Sequence, residues 1–338
     1  MAVSWEERVV EALHIVRLHQ ITEYDPVQCD SVLTRFCRYN LAYFDLDKES
    51  RPRRGPQLLT VSPSEYNLME ESVNVVSLRI LESDVGYPIR VSGTVLVRDQ
   101  VDYKCAYLFR RDSDNPQVIS SPEDMLALTD PCRGLAVTCS MFFEINLKME
   151  PPADSGDETT VLSKGVIEHD ACANDGEFAA GSLTSWHSTV RLEYTPVPFA
   201  IIATLSLSVL HGASHFVGEV AVWTTRNTNE IVLHDSRVPG TSTELGEGGT
   251  VALSRRLVAV PVHQDLVVRI RIGLGDEGAG GREAEVACFE GTLGHLDNCR
   301  TFWQGLYLVK VEAEWTANTS RENVYRCVGR RGRIRLLV

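Results

Sequence analysis

A chain of 338 residues, 43% hydrophobic and 23% charged, has the composition of a folded globular protein, which excludes overall disorder. Its formal net charge of −13 repels phosphate backbones and anionic membrane surfaces at long range, so neither nucleic acid nor membrane is an expected partner of the body. The length is about twice a common domain of ~100–150 residues, so two domains or one large all-β body is expected.

The opening Met1-Ala2-Val3-Ser4-Trp5-Glu6-Glu7-Arg8 has no apolar secretory core, and no later apolar run approaches the ~20 residues of a membrane span. The expectation is a cytoplasmic or nuclear protein. Nine cysteines, an odd number without any Cys-x-x-Cys, read as reduced thiols, and zinc is not expected. Asn318-Thr319-Ser320 fits the N-glycosylation pattern but means little without entry to the secretory pathway.

Ser4 followed by Glu7 makes a capping box, and Val9, Leu13, Val16 and Leu18 follow at near-helical spacing. A helix from about Trp5 to His19 is predicted, with that stripe docked. Tyr24 to Glu71 mixes aromatic stretches with the basic, proline-bearing Arg51-Pro52-Arg53-Arg54-Gly55-Pro56, and reads as irregular linker with one short ordered piece.

From Val73 the period becomes two: Val76, Leu78 and Ile80 alternate with Ser77, Arg79 and Leu81, and Val95 and Val97 with Thr94, Leu96 and Arg98. Further β-rich runs lie at 107–109, 141–149, 190–194, 201–209, 220–224, 231–233, 258–260, 266–272 and 306–315. No helix-length amphipathic segment separates them, which argues for antiparallel sheet. Gly-, Asp- and Glu-rich stretches at 151–160, 240–249 and 273–281 read as solvated loops.

The chain also repeats itself. Gly93 before Thr94-Val95 matches Gly218 before Glu219-Val220, and 218 − 93 = 125; the same shift pairs Ile80 with Leu205, Leu108 with Leu233 and Leu128 with Leu253. Phe143, Ile145 and Leu147 fall on Val268, Ile270 and Ile272; with a few residues deleted, Val190, Leu192 and Tyr194 fall on Val311, Ala313 and Trp315. Alternation alone fixes phase only modulo two, so a constant register implies duplication. The fold expected is all-β: two tandem antiparallel sandwich-like units, 73–197 and 198–316, after a helix and linker at 1–72 and before a basic tail at 317–338. On the strand holding Phe143, the residues Phe143, Ile145 and Leu147 are expected to face the core, and Glu144, Asn146 and Lys148 to face water. On that reading Phe143→Ala costs ~3–5 kcal/mol and Glu144→Ala about 0.5 kcal/mol.

No constellation reaches the specificity of a catalytic or metal site. Asp99, Asp102, Asp112 and Asp114 could share a cation, but Asp112 adjoins Arg110 and Arg111, and scattered loop carboxylates are the reading preferred. His211 and His215 have zinc-ligand spacing for a helix, yet Gly212 and the strand context make them two solvent-facing loop histidines. His169-Asp170 with Cys172 lies in a loop-like stretch and lacks a third orienting group. The glycine-rich stretch from Gly240 to Gly249 has no Gly-Lys-Ser/Thr ending, and Arg326, Arg330, Arg331, Arg333 and Arg335 read as a solvated basic tail. Catalytic, cofactor and metal residues are therefore assigned to none.

Several motifs carry a resemblance. They are Ser83-Asp84-Val85-Gly86-Tyr87-Pro88-Ile89, Tyr107-Leu108-Phe109-Arg110-Arg111-Asp112, Leu128-Thr129-Asp130-Pro131-Cys132-Arg133-Gly134, Glu144-Ile145-Asn146-Leu147-Lys148, Leu162-Ser163-Lys164-Gly165 and Leu233-His234-Asp235-Ser236. Together they resemble a grass-plant family defined only as domain of unknown function 6598, with Asp130 and Cys132 standing where that family has Gly and a basic residue. The domain is similar to the C-terminal part of a cereal jasmonate-induced ribosome-inactivating protein, which implies a stress or defence setting. It does not imply the glycosidase activity, because no Glu-x-x-Arg occurs in this chain. The function expected is a non-catalytic binding or scaffold module for a protein or carbohydrate partner. The alternative is an enzyme related to the RNA N-glycosidase fusions.

Overall fold

The computed structural model describes residues 4–152, 158–171, 178–212, 214–273 and 287–319. Helix α1 (Trp5–Gln20) starts at the expected capping box, with the Ser4 side chain accepting from the Glu7 N–H and the Glu7 side chain accepting from Ser4 N–H. The expected stripe does not dock: Val9, Leu13 and Val16 are exposed. The helix is held instead by polar groups. His14 is its one buried residue; its Nδ1 accepts from Leu41 N–H at 3.1 Å, and Arg17 donates to the Leu41 carbonyl at 2.5 Å.

The stretch after the helix is more ordered than an irregular linker. Strands β1 (Thr22–Asp25) and β2 (Asp30–Leu33) form an antiparallel hairpin. Its Asp25 carboxylate accepts from the Val27 and Gln28 N–H groups and closes the turn locally. Residues 35–47 then bury Phe36 and Leu41.

The first unit comprises β3 (Ser72–Ser83), β4 (Ile89–Arg98), β5 (Ala106–Arg111), β6 (Gln117–Ile119), β7 (Ser140–Met149), β8 (Thr160–Asp170), β9 (Ala179–Ser185) and β10 (Ser188–Val197). They make two antiparallel sheets, β5-β4-β7-β8 with β6 added on β4, and β3-β10-β9. The second unit comprises β11 (Ala200–His211), β12 (Gly218–Thr224), β13 (Asn227–Asp235), β14 (Leu257–Pro261), β15 (Leu266–Ile272), β16 (Ala287–Leu293), β17 (Cys299–Gln304) and β18 (Tyr307–Ala317). Its sheets are β13-β12-β15-β16 and β14-β11-β18-β17. In the first unit the place of β14 is held by isolated bridges, Arg79 with Met125 and Glu71 with Val137.

The register repeats with the order. Gly93 lies opposite Leu147 and Gly218 opposite Ile272, both pairs 125 residues apart, and Val97 and Val222 likewise face Phe143 and Val268. A Cβ on Gly93 would stand 2.2 Å from the Asn146 carbonyl oxygen, and one on Gly218 would stand 2.0 Å from that of Arg271, again 125 residues on. Both glycines are dictated by the same close approach of two backbones. The β-bulge repeats too. Pairing slips between Val95 and Leu96 on β4, leaving Leu108 extra on β5, and between Val220 and Ala221 on β12, leaving Leu233 extra on β13. One expected match shifts: Val190 faces Ile80, but Val311 faces Leu207 rather than Leu205. A slip of two residues keeps the same face inward, so the hydrophobic pattern could not have detected it.

Each unit closes its own apolar core, the first around Leu78, Ile80, Val95, Phe143, Ile145 and Val190, the second around Leu207, Val220, Val268, Ile270 and Val311. A small third cluster, Val197, Ala200, Ile202 and Ala259, lies between them. The junction is also hydrogen-bonded. The Asn74 side-chain amide exchanges two bonds with Ala259, and Asp130 accepts from the Arg256 and Leu257 N–H groups at 2.6 and 3.0 Å. Asp130, the residue of the Leu128-Thr129-Asp130-Pro131 stretch for which the resemblance implies Gly, is therefore a clasp between the units.

The largest correction concerns β7. Phe143, Ile145 and Leu147 do face the core, but Glu144 does not face water; it is 5% exposed. It accepts from Arg98, itself fully buried, at 2.6 and 3.0 Å, and from the backbone N–H of Phe36 at 2.8 Å. The N-terminal segment covers this face of the sheet. His169-Asp170, expected in a loop, ends β8, and His169 is buried with its ring 4.9 Å from that of Tyr194. His234 is buried likewise against Phe216.

Three measurements check this. Phe143→Ala should lower stability by ~3–5 kcal/mol in urea melts, with Lys148→Ala, on an exposed side chain, within about 0.5 kcal/mol of the parent. Glu144→Ala should also cost ~3–5 kcal/mol, because it strands a buried guanidinium; a shift as small as that of Lys148→Ala would mean that the segment does not cover the sheet. Burial holds the imidazoles of His169 and His234 below their ordinary range. The unfolded chain takes up those protons near the usual ~6.5 while the folded chain resists, so stability should fall as pH drops through that value. Melts at several pH values between neutral and mildly acidic should show this decline. A His169→Gln/His234→Gln double variant should flatten it.

Candidate binding clefts

Among the described residues, two clefts stand out as large enough for a ligand. The first, of about 810 Å³, has the outer face of the β5-β4-β7-β8 sheet as its floor and the N-terminal segment as its wall. Register builds the floor: Thr94, Asn146 and Lys164 lie side by side across β4, β7 and β8, with Leu96 and Glu144 in the next row. Arg17, Glu23, Arg35 and Tyr43 to Asp47 make the wall.

The wall is pinned by charge. Arg35 reaches Asp47 at 2.7 Å and Glu144 at 3.3 Å, and Arg98 also donates to the Leu46 carbonyl at 2.6 Å. Burial works against the charge of Arg35, but the two carboxylates outweigh it and raise its pKa. Phe36 fills the space behind, stacked on Tyr103 at 5.4 Å and tilted against Phe142 at 4.7 Å. Among the ionic groups of the cleft, Lys164 pairs with Glu23 at 2.5 Å, and Arg17 is spent on backbone carbonyls. What remains open to a ligand is mainly amide, hydroxyl and aromatic surface, Asn146, Thr94, Tyr107 and Tyr43, the last 77% exposed, with the exposed Asp45 carboxylate at the wall.

The second cleft, of about 620 Å³, opens between the units and is lined by Arg53, Arg54, Asp130 to Gly134, Ile202, Arg256, Leu257 and the end of β18. In its lining, Arg133 makes a bidentate pair with Asp99 at 2.5 and 2.7 Å and reaches Asp102 at 3.3 Å. Asp102 feels burial, which works against its charge, but the Lys104 N–H and Arg133 prevail and lower its pKa.

The residues weighed in the sequence do not converge. Asp99 and Asp102 meet only through Arg133, whereas Asp112 and Asp114 are exposed on the turn after β5. No group of three or more potential metal ligands occurs among the described residues. His211 and His215 are exposed. Cys172, the C-terminal arginines and most of the 273–281 loop lie outside the described residues. The seven described cysteines are free thiols. Arg35, Arg98, Glu144 and Arg133 were not singled out as site residues. The signal was present in Val95-Leu96-Val97-Arg98 and Met141-Phe142-Phe143-Glu144, where apolar residues occupy both strand faces and imply cover on both.

No helix among the described residues is long and apolar enough to cross a membrane. No curated protein matches the chain. Among solved structures, the tandem C2A and C2B domains of extended-synaptotagmin 2 are similar at 8% identity and a TM-score of 0.24, covering 82% of this chain and 97% of that one. Human GIVD cytosolic phospholipase A2 is similar at 11% identity and a TM-score of 0.20, over 72% of this chain; the chain spans only 32% of the phospholipase. The family comparison is of a different order: the domain of unknown function DUF6598 matches residues 72–313, from the first residue of β3 into β18, and the chain belongs to that family.

Proposed function

We propose that this chain is a non-catalytic binding module whose ligand surface is the cleft between the N-terminal segment and the first unit, and that its ligand is a neutral, hydroxyl-rich saccharide. The observation that supports this most is the state of the charges in that cleft. Arg35, Glu144, Lys164 and Glu23 neutralise one another. Of the other lining charges, Arg17 is held by backbone carbonyls and Asp45 accepts from the Asp47 N–H, so little charge is left to draw a charged substrate, and an acid or base taken from the paired groups would first have to leave its ion pair. Amide, hydroxyl and exposed aromatic groups on a rigid floor suit a sugar ring, which offers hydroxyls at its edge and an apolar face. A role in plant stress or defence is the setting we attach to the module, supported by the motif resemblance alone.

Titration calorimetry with a panel of neutral plant-type oligosaccharides tests the reading. One of them should bind, and Tyr43→Ala or Asn146→Ala should weaken it at least about tenfold, the equivalent of 1.4 kcal/mol. Neither side chain belongs to the core, so melting behaviour should stay near that of the parent. Binding that survives both substitutions would place the ligand elsewhere.

A further inference from the structure

The cleft between the units has a different electrostatic character. In a chain of formal net charge −13 its mouth gathers Arg53, Arg54 and Arg256. Arg54 is engaged by Glu314 at 2.9 Å, while Arg53, half-buried, makes no ion pair among the described residues. The one carboxylate in the lining, Asp130, is turned onto backbone, accepting from the Arg256 and Leu257 N–H groups, and approaches the exposed Arg256 guanidinium no closer than 3.9 Å.

A second observation lies just behind the cleft wall. Arg255 is 6% exposed, and its Nε is buried without a hydrogen-bond partner. It borders a small void of about 20 Å³ that shares Pro131, Gly134, Ile202 and Leu257 with the cleft. Burial pushes its pKa down to about 10, with only Asp130 acting in the other direction. Burying a guanidinium that makes no ion pair is costly, and buried charges are ordinarily paired.

We infer that the cleft between the two units is an oxyanion site for a small molecule bearing a phosphate or carboxylate group, held by Arg53 and Arg256 at the mouth and stabilised by Arg255 from behind the wall. Guanidinium suits this task because its planar fork matches two oxygens of either group. The site is independent of the saccharide cleft, shares no residue with it, and requires both units to be in place.

Calorimetry and thermal melts of the full chain with inorganic phosphate and with acetate, against chloride at equal ionic strength, test this. Saturable binding with a rise in Tm is expected for at least one oxyanion and not for chloride; tighter phosphate points to a phosphorylated ligand, tighter acetate to a carboxylate. An Arg53→Ser/Arg256→Ser variant, altered only at the cleft mouth, should bind at least tenfold more weakly. Arg255→Met should melt higher than the parent without ligand and gain less from the oxyanion. No saturable binding of either oxyanion, or binding unchanged in the Arg53→Ser/Arg256→Ser variant, would overturn the assignment.

Discussion

The ion pair between Arg98 and Glu144 governs the layout of the first half of the molecule. Two charges taken out of water are tolerable only when their remaining donors and acceptors are satisfied, and here most of the partners are supplied by the N-terminal segment. Arg98 donates to the carbonyls of Leu46 and Tyr103, and Glu144 accepts from Arg35 and from the Phe36 backbone. The pair therefore acts as a socket. Once residues 35–47 are plugged into it, Phe36 is buried against Phe142 and Tyr103, and the first cleft acquires its wall.

The second unit shows what the same sheet does without that cover. The positions equivalent to Arg98 and Glu144, 125 residues on, are Trp223 and Arg269, and the guanidinium lies 5.1 Å from the indole ring. Arg269 also pairs with Glu219 at 3.7 Å and with Glu230, while Arg237 bridges Glu219 and Asp235 at 2.8 Å each. A half-solvated ladder of alternating charge replaces a buried socket. The strand frame is common to both units, and the outer face has been specialised twice: once to hold a segment, once to meet water.

How much of this could be read from the sequence depended on whether the signal was local. Strands with a continuous apolar set, such as β3, β15 and β18, were legible, as was the 125-residue repeat that relates β4 to β12 and β7 to β15. Strands β9 (Ala-Ala-Gly-Ser-Leu-Thr-Ser) and β17 (Cys-Arg-Thr-Phe-Trp-Gln) were not, because edge strands with small or exposed residues have little periodicity to detect. The outward assignment of Glu144 failed for the opposite reason: its alternation was clear, but a segment 108 residues away in sequence covers that face. The exposed stripe of α1 misled in the same way, since spacing describes a face and says nothing of whether anything meets it. Both clefts are assembled from distant stretches, so neither had a local signature.

The shared bulge bears on descent. Because side chains alternate strictly along a strand, deleting Leu108 or Leu233 would turn every residue beyond it inside out, exchanging core for surface. Such an insertion, once accommodated, acts as a ratchet: no single deletion removes it without wrecking the strand. Its presence at corresponding positions in both units is what doubling of a unit already bent at this point would leave, and it fixes the same twist in both frames whatever their outer faces carry.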